Sequence, residues 1–479
     1  MHKNHFLSLL SLVFVLSSVF SQVPEQTLFD FGGTLDSATG FDLKVNSSGS
    51  VTSAAFSETL STSIWTAAEF SDGLTLLGKG SVTVIFSPDS SGSITTNYNL
   101  GLKELRLNGL ILPESGEQSS FAFTLGRINV RDATGWVLSQ TLDGVSFNVG
   151  FPGLSVNVFS GFTGLLFSSQ VGVALTLADV GTIVKSSSDP FAFAPPRLIS
   201  GINLVVPEFF LRQDFSLVLL YQHDFRGYGR EVWPVYSVGG TLTSLKNEGD
   251  TVADAQIGGR LSSGYLGAAL SGPVILPFYY DAVAFLSYGS TLSFISESSS
   301  YVQSELIGWF GKIGLNALFP EVLFSRLEIN AIFSSGDVDY TSFFEGNTSG
   351  QATMFIPINQ PPISLIYGAQ LGNLAATGIT YSLLPFSSGD TGILRNLQAM
   401  LKASAFWRLT QGAIFDSGID EGSTSPYLGT EVNLILNFRP LSDLGVSLTN
   451  GVFLPQGSAY DLSQKSLKYV ARLTFSFSL

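Results

Sequence analysis

From residue 22 onward no stretch stays apolar for the roughly 18 residues a membrane helix needs, yet short segments alternate apolar and polar side chains again and again. Successive side chains of a strand face opposite sides, so sustained alternation means a sheet between two different solvents. Val145, Phe147, Val149 and Phe151 alternate with Gly144, Ser146, Asn148 and Gly150. Pro152-Gly153 turns the chain, and Leu154, Val156 and Val158 resume the pattern, as in a hairpin. The same period runs through Leu327, Ile329, Ala331 and Phe333, through Leu401, Ala403, Ala405, Trp407 and Leu409, and through Val432, Leu434, Leu436 and Phe438. Segments 394–410 and 427–438 exceed the usual five or six residues of a strand and reach the roughly 9–11 that a bilayer requires.

Composition says which solvents are involved. Only 13% of the 479 residues are charged, against about 25% in a soluble domain. The polar phase of the strands is mostly Ser, Gly, Thr and Asn, and the apolar phase is aliphatic and aromatic, with 39 Phe in the chain. Only helices and closed barrels satisfy their own backbone inside lipid, and the helix lacks its apolar run. The expected fold is all-β, a transmembrane antiparallel barrel. A net charge of −14 argues against nucleic acid as a partner. The absence of cysteine removes disulfides, thiolate chemistry and Cys-ligated metals.

Residues 1–21 read as a secretory signal peptide: His2, Lys3, Asn4 and His5 precede an apolar run from Phe6 to Phe20, and Val19 and Ser21 suit a cut before Gln22. Its removal leaves His223 as the one histidine. Residues 22–39 are expected as an N-terminal periplasmic segment and 40–479 as the barrel.

Single-chain bacterial barrels have an even strand count, short periplasmic turns and longer outer loops. Short turns are expected at Leu112-Pro113-Glu114, Phe151-Pro152-Gly153, Val206-Pro207-Glu208, Phe319-Pro320-Glu321 and Arg439-Pro440. Polar stretches at 87–96, 131–140, 163–196, 334–352, 411–426 and 455–465 suit outer loops. Residues 225–300 fit the alternation only with a further turn at Tyr288-Gly289-Ser290. Every candidate together, short ones such as 353–358 and 290–296 included, makes about 22 strands; the expected count is about 18, within about 16 to 22. The stretch 163–196 holds Val171, Val173, Leu175 and Leu177 and ends in Phe191-Ala192-Phe193 and Pro195-Pro196. Apolar segments in a water-facing loop must pack somewhere, so 163–196 is expected to fold inward and narrow the lumen; the competing reading makes 170–177 one more strand.

Tyr469, Ala471, Leu473, Phe475, Phe477 and Leu479 alternate with polar residues to the last position. A closed barrel has no edge, so its final strand must pair with its first. This end resembles the terminal strand by which outer-membrane proteins are recognised for assembly, with Tyr469, Phe475, Phe477 and Leu479 as its signal residues. The resemblance implies the barrel-assembly machinery as a partner.

Residues 121–150 read FAFTLGRINVRDATGWVLSQTLDGVSFNVG. The order Gly126-Arg127, Asp132, Gly135, Gln140, Asp143-Gly144-Val145 resembles a stretch of monomeric outer-membrane porins of the alginate-export and substrate-specific type. The resemblance implies a porin-like channel in the bacterial outer membrane for passive diffusion of small hydrophilic solutes, with outer-membrane lipid and the solutes as partners. It does not carry over an alginate-like substrate, since the chain shows no dense arginine track. Two other readings remain open at this point. One is a barrel like the fatty-acid transporters, whose Asn-Pro-Ala-type hatch motif is absent from residues 22–40. The other is a structural or adhesive surface barrel.

Charges at the polar positions of strands cost little in a wet lumen but about 2–4 kcal/mol for Arg or Lys facing lipid at mid-depth. The pore-lining candidates are therefore Lys103, Arg106, Arg127, Arg326, Glu328, Lys402, Arg408 and Arg472. No enzymatic activity and no cofactor are expected. His223 and Asp224 are adjacent, and neighbours on a strand point to opposite faces, so they do not form a catalytic pair. Asp250 with Asp254, and Asp337 with Asp339, read as solvating loop acids rather than a metal site.

Overall fold

The computed structural model describes residues 28–46, 50–71, 73–88, 93–111, 119–164, 194, 196–225, 234–236, 242–244, 261–295, 300–338, 351–387, 392–412, 414–416, 418–420, 422–460 and 466–478. Eighteen strands form one closed antiparallel sheet. They are β1 (Leu28–Asn46), β2 (Val51–Ser71), β3 (Leu74–Pro88), β4 (Ile94–Ile111), β5 (Ser120–Arg131), β6 (Ser139–Phe151), β7 (Leu154–Phe162), β8 (Arg197–Phe210) and β9 (Gln213–Asp224). The barrel resumes with β12 (Leu261–Ile275), β13 (Phe278–Ile295), β14 (Ser300–Phe319), β15 (Ser325–Ser334), β16 (Leu374–Leu383), β17 (Leu397–Trp407), β18 (Tyr427–Phe438), β19 (Leu444–Pro455) and β20 (Ser466–Ser478). Two short strands, β10 (Pro234–Tyr236) and β11 (Leu242–Ser244), pair only with each other.

Each barrel strand pairs with its sequence neighbours, β9 with β12 across the small hairpin, and β20 with β1. Closure runs from Thr34↔Ser478 to Asn46↔Ser466, so the terminal strand meets the first, as the alternation to the C-terminus requires. The eighteen strands match the expected number. The barrel begins earlier than expected: residues 28–39, read as part of a periplasmic segment, lie in β1 and pair with β2. The signal-peptide stretch 1–21 and Leu479 lie outside the described residues.

The two ends of the barrel differ. At one end the connections are short, as at 72–73, 152–153, 211–212, 276–277, 320–324 and 439–443. At the other lie 163–196, 225–260, 335–373 and 408–426. Two expected turns are corrected. Tyr288-Gly289-Ser290 is inside β13, and the chain turns instead at Leu276-Pro277. Val206-Pro207-Glu208 lies within the irregular end of β8, whose register to β9 breaks between Val206 and Phe210; the turn is Leu211-Arg212. Residues 353–358 form no barrel strand, whereas 290–295 belong to β13. β7 and β8 pair directly, so the barrel takes no strand from between them. The expected inward fold of 163–196 lies outside the described residues, apart from Thr163, Gly164, Ala194 and Pro196.

Alternation separates the faces. On β13, Val283, Phe285 and Ser287 are buried, while Leu286 and Tyr288 point outward and are 60% and 61% exposed. On β15, Ile329 and Phe333 point outward, and Ile332 and Ser334 are buried. This outward apolar belt is the surface the strand pattern assigned to lipid.

Candidate functional site

Along the strands of a closed barrel the water-facing surface is the lumen, and its wall divides into two arcs. On the inner faces of β5–β9 and β12–β19 sit Ile128, Leu142, Phe159, Val218, Phe285, Phe310, Phe406 and Phe453, all buried in one apolar cluster. No member of that cluster comes from β1–β4 or β20 among the described residues. There the inner face carries charge instead: Asp42, Lys44, Lys103 and Arg472 are solvent-exposed on the inner phase of their strands.

Strict alternation would place Lys103 and Arg106, three residues apart, on opposite faces. A bulge resolves this. The β3–β4 register passes from Lys79↔Glu104 to Gly80↔Leu102, leaving Lys103 as the extra residue. An extra residue bends the strand and re-aims side chains. Lys103 Nζ donates to Ser63 Oγ at 3.3 Å on the inner phase of β2, while Glu104 pairs with Arg106 at 2.9 Å.

The apolar arc is covered by chain from the long-loop end. Residues 351–373, between β15 and β16, enter the barrel, and Ala352, Met354, Phe355, Ile356, Ile358 and Leu371 are all at most 3% exposed. The segment begins beside β14, where the Ile307 N–H donates to the Ala352 carbonyl at 2.8 Å and the Ala352 N–H to the Glu305 carbonyl at 2.7 Å. The Tyr265 hydroxyl on β12 then donates to the Ile356 carbonyl at 2.6 Å. At the start of β6, the Ser139 N–H donates to Asn359 Oδ1 at 2.6 Å, and Asn359 Nδ2 donates to the Ser139 carbonyl at 3.0 Å. From there the segment reaches β17 and β18. Lys402 Nζ donates to the Ile363 carbonyl at 3.1 Å. The Glu431 carboxylate, fully buried, accepts the N–H groups of Leu365, Ile366 and Tyr367 at 2.9, 3.1 and 2.8 Å. The segment thus spans the lumen from one wall to the other, held by backbone and side-chain bonds at each landing.

It ends on β19, at the border with the charged arc. The Tyr367 ring stacks on Phe453 with centroids 4.1 Å apart, and Lys468 Nζ of β20 lies 5.5 Å from the Tyr367 ring and 5.7 Å from the Phe453 ring. The Tyr460 hydroxyl sits 2.9 Å from that of Tyr367 and 3.3 Å from Asp416. Burial pushes both phenols above their ordinary range, and the nearby Asp416 charge adds to this. Both therefore stay protonated at neutral pH.

A second, shorter intrusion comes from 132–138. Asp132, 1% exposed, accepts from the N–H groups of Thr134, Gly135, Val137 and Leu138 and from the Thr134 hydroxyl. Gly135 supplies the positive φ of 71° that the tight loop needs. Trp136, at its tip, packs 5.4 Å from Phe310 of β14 and lies under Lys312 Nζ, itself paired with Asp281. The residues that carried the porin resemblance thus include the carboxylate and the glycine that wind this loop.

The pore-lining candidates fall into distinct environments. Lys103, Arg106 and Arg472 are on the charged arc, and Lys402 holds the crossing segment. Arg326 and Glu328 pair at 3.1 Å near the short-turn end, with Arg326 also donating to Asn316 Oδ1. Arg408, 3% exposed, directs its guanidinium at the carbonyls of Gly412, Asp420, Ser423 and Ser425 in its own loop. Arg127 lies 3.8 Å from Asp143, its cross-strand partner. Sequence reasoning missed Glu431, Asn359 and Lys468: a single polar side chain, on a strand as with Glu431 and Lys468 or off one as with Asn359, carries no local sign of what it will touch across the lumen. His223 and Asp224 do face opposite ways. Asp224 is buried 3.9 Å from Arg197, and His223 lies between Tyr221 and Phe225 on the outer side. Among the described residues no group of three metal-ligating side chains occurs.

Together these features define a closed 18-stranded antiparallel β-barrel with a crossing segment inside it. The chain is similar to three solved structures from Pseudomonas aeruginosa. OccK9 (OpdG) matches with a TM-score of 0.52 at 11% identity, over 94% of this chain and 99% of that one. OpdQ matches with a TM-score of 0.50 at 12% identity, over 94% and 97%. OpdK, crystallised with vanillate, matches with a TM-score of 0.50 at 9% identity, over 94% and 98%. At such identities the likeness is one of fold. No family model and no curated protein matches the chain.

Proposed function

We propose that the chain is an outer-membrane channel for passive diffusion of small hydrophilic solutes, reached after signal-peptide-dependent export. One observation carries this reading. The crossing segment packs against the apolar arc, while the arc of β20 and β1–β4 keeps exposed charges on its inner face, among them Lys44, Lys103 and Arg472. A protein that only displayed loops would have no use for a charged inner wall, and a binder of apolar ligands would line its path with the opposite chemistry. The path therefore runs off-centre, along the charged arc and past Lys468 at the edge of the crossing segment.

The solutes admitted include small organic acids, which the cations of this arc can accompany through the lumen; vanillate, found with OpdK, is a compound of that class. The test is single-channel recording of the purified barrel in a planar bilayer. Stepwise ohmic conductance is expected, reduced when vanillate is added. A barrel that folds but never conducts removes the channel reading.

A further inference from the structure

The rim formed by the short turns is apolar in turn after turn. Ile111 at the end of β4, Leu211 between β8 and β9, Leu276 between β12 and β13, Phe324 between β14 and β15, Ile393 between β16 and β17, and Leu441 between β18 and β19 are each more than half exposed. Leu211 and Leu276 reach 74% and 72%. Tight turns in water are built from Gly, Pro, Asn, Asp and Ser, and large contiguous apolar surface marks a contact with something other than water.

Three features say what the contact is. The apolar tips recur around the circumference, from β4 to β18, whereas a bound protein would cover one sector. They also continue the outward belt without a polar break: on the β12–β13 hairpin, Leu266 and Val274 lead down to the tip and Phe278 and Leu286 lead away from it, all exposed. Finally, several charges at this level are turned to the mouth or tied down. Asp36, Arg395, Arg439 and Asp443 line a cavity of about 710 Å³ at the mouth, Arg439 donates to the Ser442 carbonyl, and Arg326 is held by Asn316 and Glu328. Among the described residues of the tips, Glu208, Arg212, Asp214 and Glu321 are within reach of headgroups, and a long side chain such as Arg212 can lay its stem along apolar surface.

We propose that the short-turn rim is immersed in the membrane interface, its apolar tips entering the acyl boundary of the adjoining leaflet, so that the partner of this rim is phospholipid. The inference rests on the reading of the chain as a membrane-spanning barrel. It also gives the barrel a fixed depth, with the described apolar turn tips at the acyl boundary.

The chain contains no cysteine, so single labels report cleanly. Leu211→Cys, Leu276→Cys, Ile393→Cys and Leu441→Cys are each spin-labelled in the full-length barrel folded into phosphatidylethanolamine–phosphatidylglycerol vesicles. Leu286→Cys serves as the mid-belt reference and Ser50→Cys as the outer-loop reference. Accessibility to oxygen and to a water-soluble nickel chelate is then compared. Oxygen exceeding nickel several-fold at all four tips, as at Leu286→Cys, supports the proposal. Nickel dominating at any of the four, with Leu286→Cys in lipid, overturns the immersed rim and leaves the membrane barrel standing. Nickel dominating at Leu286→Cys overturns the membrane reading itself.

Discussion

Asn359 and Ser139, 220 positions apart, are joined by a two-bond clasp: the side-chain amide of Asn359 accepts from the Ser139 N–H and donates to the Ser139 carbonyl. The Asn359 N–H adds a third bond, to the Val137 carbonyl at 3.1 Å. The crossing segment is thereby tied to the loop that carries Trp136, and the two intrusions into the lumen act as one body. Both are anchored to walls that the barrel already holds rigid. The constriction they form is therefore a fixed part of the fold.

Asn359→Ala removes both side-chain bonds at once and leaves a part-buried N–H and carbonyl without their partner. Each such loss costs about 1–3 kcal/mol. Amide hydrogen exchange over 352–363 should speed up by roughly ten- to hundredfold, since about 1.4 kcal/mol is a factor of ten. The barrel strands should keep their protection. Unchanged exchange in the segment would show that the clasp does not hold it.

Glu431→Gln tests the opposite landing. The carboxylate accepts three backbone N–H groups, and an amide of the same shape turns one of its oxygens into a donor facing N–H. The turn 365–367 should detach and draw Tyr367 off Phe453. We expect larger or noisier single-channel currents from a barrel that still folds. Currents identical in size and noise would separate Glu431 from the constriction.

Asp132→Ala strips five donors of their acceptor in the loop that carries Trp136. The expected loss is more than about 2 kcal/mol, from several unsatisfied groups at about 1–3 kcal/mol each. Trp136 should leave Phe310, which a red shift in tryptophan emission would report. Asp132→Asn, which keeps one acceptor oxygen, should fall between the two. Equal stability for all three proteins would mean that water replaces the carboxylate at no cost.

The strand count and both faces of the barrel were legible because period two is a local property: Leu327 to Phe333 shows its outward phase without knowledge of any partner. Turns were less legible. Tyr288-Gly289-Ser290 has turn composition, but Gly289 is small because a Cβ there would meet the Ser262 carbonyl oxygen at 2.2 Å across the ladder. The real turn at Leu276-Pro277 is apolar, and so offers no turn signal beyond its proline. The crossing segment was illegible for another reason. Thr353 to Ile358 reads as a short strand, but its bonding partners are Ser335, Gly336 and Asp337 just past β15 and Tyr265 of β12, not a neighbouring strand of the wall. Nothing local distinguishes a strand in the wall from a segment laid across the lumen.

The terminal strand should decide assembly. β20 pairs with β19 from Leu444↔Phe477 to Phe453↔Lys468, and with β1 from Thr34↔Ser478 to Asn46↔Ser466. Deleting residues 469–479 therefore exposes two edges, and an unpaired edge cannot be left in lipid. It also removes Tyr469, Phe475, Phe477 and Leu479, the residues proposed as the signal read by the assembly machinery. The truncated chain should be absent from the outer-membrane fraction of expressing cells and degraded or aggregated before insertion. Phe475→Ala with Phe477→Ala keeps every backbone pair and removes only the aromatic signal. If it slows insertion while the purified protein still refolds in detergent to a heat-modifiable barrel, the signal and the closure are separate functions of one strand. Normal insertion of the truncated chain would mean that β1 and β19 can close the barrel without it.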